Sequence, residues 1–187
     1  MKKISLIVFM VLAPLCALQA QQGSNLSGPI INHYAASKFT TGAIPRADLD
    51  TIIQAGIRAP SARNRQPWRF TIVQNMNLAK KILPQSIEGN VLIVISAEGD
   101  GQTNGSEILD CALATQSIYL AAQALGYGSR IYTGPISGIN RSLKTDLGLP
   151  KGYSAVTLVR VGRLEGKVDA VSAASSRKTA DAMVDYK

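Results

Sequence analysis

Histidine and cysteine are nearly missing from this chain of 187 residues: it has one His, His33, and two Cys, Cys16 and Cys111. So few nitrogen and sulfur ligands argue against a zinc centre, and no metal site is expected. His33 alone leaves no partner set for a triad built on histidine. Aromatic residues make up only 5% of the chain, and its basic residues are scattered rather than interleaved with aromatics, so nucleic-acid binding is not expected. There is no G-x-S-x-G, no Walker A loop, no H-E-x-x-H and no G-x-G-x-x-G after a strand. No segment repeats at a solenoid period. A chain this poor in acid–base groups, if it is an enzyme, leaves the difficult chemistry to a cofactor.

What is present divides unevenly. Lys2 and Lys3 precede an uncharged apolar run, Ile4 to Leu15, and Ala17-Leu18-Gln19-Ala20 offers a small residue at a cut site. That is the anatomy of a secretory signal peptide over residues 1–20, too short to span a bilayer, so stable membrane insertion is not expected. The alternative is a buried N-terminal helix. An exported, periplasmic protein is the expectation. A lipoprotein anchored through Cys16 is the lesser reading, because Leu15 stands where a small residue belongs. Residues 21–29 read as a polar linker and 30–187 as one domain. Cleavage after Ala20 leaves Cys111 without a disulfide partner, in an apolar run where core filler is its expected role. The net charge of +8 falls to +6 without Lys2 and Lys3, a mild field that suits an anionic small molecule.

Periodicity predicts a short helix within Ile30–Phe39, with Ile31, Tyr34 and Ala35 on one face, and a helix from Arg46 with Leu49, Ile52, Ile53, Gly56 and Ile57 at helical spacing. Pro60 ends it. Trp68–Gln74 reads as a strand, Asn75–Leu83 as a short helix, and Val91–Ala97, continuously apolar, as a central strand buried on both faces. Ser106–Leu125 reads as the longest helix, stopped by Gly126 and Gly128, and apolar enough to be buried all round in a core or a dimer interface. A strand over Ser129–Tyr132, a helix over Ser137–Leu147, a strand over Ser154–Val161 and a polar tail from Arg163 follow. The order points to an α+β sandwich.

Between the helix from Arg46 and the strand from Trp68 runs Arg58-Ala59-Pro60-Ser61-Ala62-Arg63-Asn64-Arg65-Gln66-Pro67-Trp68. Two prolines restrict this loop, and Ser61, Asn64 and Gln66 supply short polar groups able to meet a planar heterocycle. On spacing alone the favoured reading is a helix-to-strand connector with Trp68 as a core plug. The string A-P-S-A-x-N-x-Q-P-W, however, resembles the signature loop of the FMN-dependent nitroreductase family. Asp110 to Ser129, with Leu125-Gly126-Tyr127-Gly128-Ser129 at its end, is similar to that family's long central helix. Gly134-Pro135-Ile136-Ser137-Gly138, Leu147-Gly148-Leu149-Pro150 and Arg177 to Tyr186 resemble its later segments. The similarity covers about Ile30 to Tyr186.

The resemblance implies an α+β nitroreductase-like sandwich, with a mixed, mainly antiparallel sheet flanked by helices and one long central helix. It implies a homodimer with FMN at the subunit interface, NADH or NADPH as electron donor and a small-molecule acceptor, a nitroaromatic or quinone, reduced in ping-pong fashion. Carried over residue by residue, FMN would be held by Arg58, Ser61, Asn64, Thr133, Gly134, Ser137, Gly138 and Arg177, with no catalytic side chain. One departure matters. The family's opening Arg-Arg-Ser-x-Arg string corresponds here to His33-Tyr34-Ala35-Ala36-Ser37, which leaves the phosphate to Arg177, Lys38 and backbone groups. The ring-edge loop has Ser137 where Glu is frequent, and the short span from Leu83 to Val91 leaves out the helical lid of larger members. These departures keep a second class in view: an exported protein that binds flavin or another ligand without turnover.

Overall fold

The computed structural model describes residues 27–99 and 105–187. The signal-peptide segment, Cys16 and most of the 21–29 linker lie outside the described residues. Six helical segments are present: α1 (Ser27–Ile31), α2 (Arg46–Ile57), α3 (Met76–Ile82), α4 (Gly105–Ala124), α5 (Ile136–Gly138) and α6 (Ala170–Ala173). Five strands form the sheet: β1 (Phe39–Thr40), β2 (Arg69–Val73), β3 (Val91–Glu98), β4 (Gly128–Tyr132) and β5 (Tyr153–Leu164). The pattern of a short helix beginning on Asn75 is right, and Asn75 caps α3 by accepting from the Leu78 N–H at 3.0 Å.

β5 organises the sheet. One edge pairs with β3 along its length, and the other carries β4 over residues 158–162 and then β1 at 163–164. β2 closes the far edge on β3. Every pairing among the described residues is antiparallel. The α+β architecture with a long central helix is therefore as expected, and the sheet is antiparallel throughout.

Alternate residues of β3 serve two cores, which is why Ser96 is the one polar residue between Val91 and Ala97. Val91, Ile93, Ile95 and Ala97 face α2 and α4, together with Ile52, Ile118, Val159 and Trp68. Leu92 and Val94 face the other side, with Ile82, Leu83, Ile139 and Leu158. α2 approaches α4 closely at Gly56, where a Cβ would stand 2.7 Å from the Ile118 side chain.

Four expectations need correction. The helix expected over Ile30–Phe39 is instead Ser27–Ile31, and the chain beyond it is not helical. Tertiary partners claim its backbone: the Tyr34 carbonyl accepts from Gln123 Nε2 at 2.8 Å, and the Ala36 N–H donates to the Ser129 carbonyl at 3.0 Å. The same helix takes Ser27–Pro29 out of the expected linker. The helix expected over Ser137–Leu147 is the short α5 followed by a wider-wound turn over Ile139–Leu143. The expected polar tail begins later than Arg163, because β5 runs to Leu164 and α6 follows. Within the single chain α4 buries one face and leaves another open, which the expectation of burial in a core or a dimer interface allows. Cys111, Ala114, Thr115, Ile118, Tyr119 and Ala122 face inward, whereas Leu109 and Leu113 are 66% and 45% exposed.

Candidate functional site

The Arg58–Trp68 loop departs from the helical backbone at Pro60 and folds into a tight turn over Ala62–Asn64. Arg63, Asn64 and Gln66 have φ of 53°, 54° and 48°, and they are the non-glycine residues with positive φ among those described. A left-handed side-chain residue costs about 1–2 kcal/mol, and such backbone clusters at functional positions. Within the turn, the Gln66 N–H donates to Ser61 Oγ at 3.0 Å and Gln66 Nε2 donates to Asn64 Oδ1 at 3.1 Å. Gln66 is thus the brace of the turn. Ser61 and Asn64 keep a hydroxyl and an amide N–H₂ for a ligand, and Asn64 and Arg58 are exposed. Trp68 is 6% exposed and stacks on Phe70 at 6.4 Å. It is therefore the core plug as well as the end of the motif.

The helix α4 holds this loop from beneath. Asp110 Oδ1 accepts the Ala62 N–H at 2.9 Å. Arg65 pairs with Glu107 at 3.1 Å and donates to the Ser106 hydroxyl. The Glu107 carboxyl sits below the usual range, because its own backbone N–H, then the Ser106 hydroxyl and Arg65, favour the charged form. The sequence reading quoted Asp110 without giving it a role. The signal was an acid on an apolar helix, since a buried carboxylate requires a partner.

The second group, Thr133, Gly134, Ser137 and Gly138, follows β4. Gly134, Ser137 and Gly138, but not Thr133, line a cleft of about 440 Å³ with Lys81, Arg141 and Ser142. Neither glycine has positive φ, and a Cβ at either would meet nothing within 4 Å. Neither chain conformation nor packing calls for glycine at these two positions.

Arg177 lies elsewhere again. Its Nη1 donates to the Ser175 carbonyl at 2.8 Å. Burial raises the Tyr119 phenol, and the Gln123 side chain and the Arg177 charge offset part of that rise. His33 meets the same Tyr119 edge-on, with ring centroids 5.6 Å apart, and donates from Nδ1 to the Ile30 carbonyl at 2.6 Å. His33 therefore borders Tyr119 on α4, and the Arg177 charge acts on the same phenol. Gln123, also missed in the sequence, ties Tyr34 and Ser129 together here.

One chain does not bring these groups into one cleft. The signature loop and the Gly134 loop leave the same end of the sheet, where β3 finishes and β5 begins, but at opposite edges. Three strand spacings separate them, roughly 14 Å. They also lie on opposite faces: Asp110 of α4 holds the first, whereas Asn140, just after the second, bonds Ala155 on the α3 side.

Cys111 is buried, and burial followed by the Asp110 and Glu107 charges pushes its thiol up to about 12. It should resist alkylation by iodoacetamide at pH 8 in the folded protein and react fully in denaturant, as mass spectrometry would read.

The chain is matched by the model of the Nitroreductase family over residues 30–98 and 87–163. It is 31% identical over 134 residues to an Archaeoglobus fulgidus protein provisionally named as an NADH dehydrogenase/NAD(P)H nitroreductase, covering 66% of this chain and 76% of that one. A Methanothermobacter thermautotrophicus protein of the same name is 26% identical over 134 residues, covering 67% and 70%. Among solved structures, a nitroreductase with bound FMN from Desulfitobacterium hafniense shares the fold with a TM-score of 0.71 at 23% identity, covering 87% of this chain and 97% of that one. The family match spans α1 to β5 and includes both the signature loop and the Gly134 loop. The chain belongs to the nitroreductase family, a family of oxidoreductases.

Proposed function

We propose that this protein is an FMN-dependent oxidoreductase that reduces nitroaromatic, quinone or similar acceptors with NADH or NADPH in ping-pong fashion. We propose further that it acts as a homodimer, exported with residues 1–20 removed. The observation that carries the reading is the strained turn at Arg63, Asn64 and Gln66, which costs free energy and holds the ligand-facing groups of Ser61 and Asn64 outward. FMN-bound relatives of the same fold support the cofactor, as does the provisional name of the Archaeoglobus protein for the donor.

The residues present fit FMN. Ser61 and Asn64 can hydrogen-bond the heterocycle, and the glycine backbone from Gly134 to Gly138 can lie against its edge. Arg177 can meet the phosphate. The chemistry FMN supplies, when bound, is a two-electron store between donor and acceptor. The protein's part is orientation, exclusion of water and hydrogen bonding. Because the two loops are separated within one chain, a second copy presenting its signature loop to the Gly134 loop completes the site, and the open apolar stripe of α4 is the surface for it.

The test is an absorbance spectrum of the protein after incubation with FMN and desalting. Retained flavin bands that bleach anaerobically with NADH or NADPH are expected. Bands that persist unbleached favour the other reading, a flavin-binding protein without turnover, for which the lack of arginine at 33–37 speaks. In the same assay Asn64→Ala weakens FMN binding about tenfold, the value of one good hydrogen bond. Asn64→Gly keeps the left-handed backbone and removes only the amide, so equal losses in both variants assign the effect to the side chain.

A further inference from the structure

We infer that Asp110 is a positioning residue for the flavin loop: it holds the Ser61–Gln66 turn in its strained shape and thereby sets FMN affinity. The inference rests on the FMN reading above. Three left-handed residues in four positions will not persist unless something outside the turn over-determines them. The turn's internal bonds, Ser61 with Gln66 and Asn64 with Gln66, close it on itself and do not anchor it. The outside bonds described for it come from the first two turns of α4. The Arg65 contacts with Glu107 and the Ser106 hydroxyl are one set, but the Arg65 and Glu107 side chains are 47% and 20% exposed, so solvent and salt weaken it. Asp110 is the other. It is 3% exposed, and Oδ1 takes the Ala62 N–H one residue ahead of the left-handed pair.

Asp110 is also a poor choice for the fold alone. Its Oδ2 is buried with no partner among the described residues. A buried carboxylate left half satisfied is destabilising, and an apolar side chain of similar size would suit the helix better. Fold stability and loop geometry therefore ask for different residues at 110, and the structure has the one that serves the loop.

This opposition gives the experiment. Asp110→Leu and Asp110→Asn are compared with wild type for FMN affinity by fluorescence titration, for melting temperature without flavin, and for amide hydrogen exchange across Ala62–Gln66. Asp110→Leu is expected to melt no lower than wild type, to bind FMN about tenfold or more weakly, and to exchange faster in the turn. Asp110→Asn, which keeps an acceptor for the Ala62 N–H, is expected to stay within about threefold of wild type in affinity, a difference well under 1 kcal/mol. Combined with Asn64→Gly, the loss from Asp110→Leu should be less than additive, because both act through one turn. Wild-type affinity in Asp110→Leu overturns the inference. So does a leucine variant that fails to fold or loses stability in step with affinity, since the carboxylate would then be serving the fold. If wild type takes up no FMN, the reading beneath fails, and exchange in the turn, which needs no flavin, still decides whether Asp110 holds it.

Discussion

A Leu113→Asp protein should sediment as a monomer and leave a desalting column without flavin. Leu109, Leu113, Gln116, Leu120 and Ala124 recur at helical spacing along the outside of α4, with Leu109 66% and Leu113 45% exposed. A helix stripe of this kind packs on its own copy about a twofold axis, the commonest way for a chain to meet itself. Carboxylates brought together there would be buried and unpaired, which opposes association. Leu113 contributes little to the single chain, so the variant should melt near wild type before association is counted. Flavin should be lost because, in the proposed dimer, the signature loop of one chain meets the Gly134 loop of the other, the two leaving the sheet at opposite edges within one chain. Loss of about 3 kcal/mol of contact weakens binding more than a hundredfold. A monomeric variant that still holds FMN would show that one chain suffices and that the interface lies elsewhere.

The second large effect runs the other way. His33→Arg with Ser37→Arg should tighten FMN ten- to a hundredfold at low salt. Ser37 is exposed, and His33 sits at the edge of Tyr119, whose phenol feels the Arg177 charge. Each exposed guanidinium fork added there should contribute about 1 kcal/mol toward a phosphate once solvent screening is counted, so two together give roughly that gain. The gain should shrink as salt is raised, because the added charges are exposed. Riboflavin, which lacks the phosphate, should show no gain. Equal gains for both ligands, or none for FMN, would place the phosphate away from the 33–37 stretch.

Much of the architecture was readable in advance, for reasons tied to particular residues. The unbroken apolar run of Val91–Ala97 could only be a strand covered on both faces, and it is. Helical spacing of Leu49, Ile52 and Gly56 located the buried face of α2. Periodicity failed at Tyr34 and Ala36, where Gln123 and Ser129, about ninety residues away, take the backbone groups that a helix would have used. On α4, small and apolar residues on both sides do not reveal which side lacks a neighbour in the chain. In the site, the polar residues of the signature loop were legible from the motif. Their left-handed backbone was not, because three non-glycine residues at positive φ run against local preference. Asp110 was visible but mute, since its partner is a backbone N–H forty-eight residues distant.

The place of β5 in the chain has a consequence for how the molecule is made. β1 and β4 find their partners on it, and β3 finds one of its two. Only β2 and β3 can pair before it exists. Phe39 must wait for Leu164, so the longest-range closure joins nearly the first strand residue to the last. Such non-local pairing is slow, because loop entropy is lost before contacts reward it. Through most of its synthesis the chain can collapse but cannot complete its sheet. Under the export proposed above, a chain crossing a membrane as an open thread would gain from that delay: the last strand is the clasp, and the sheet closes only once that strand is available.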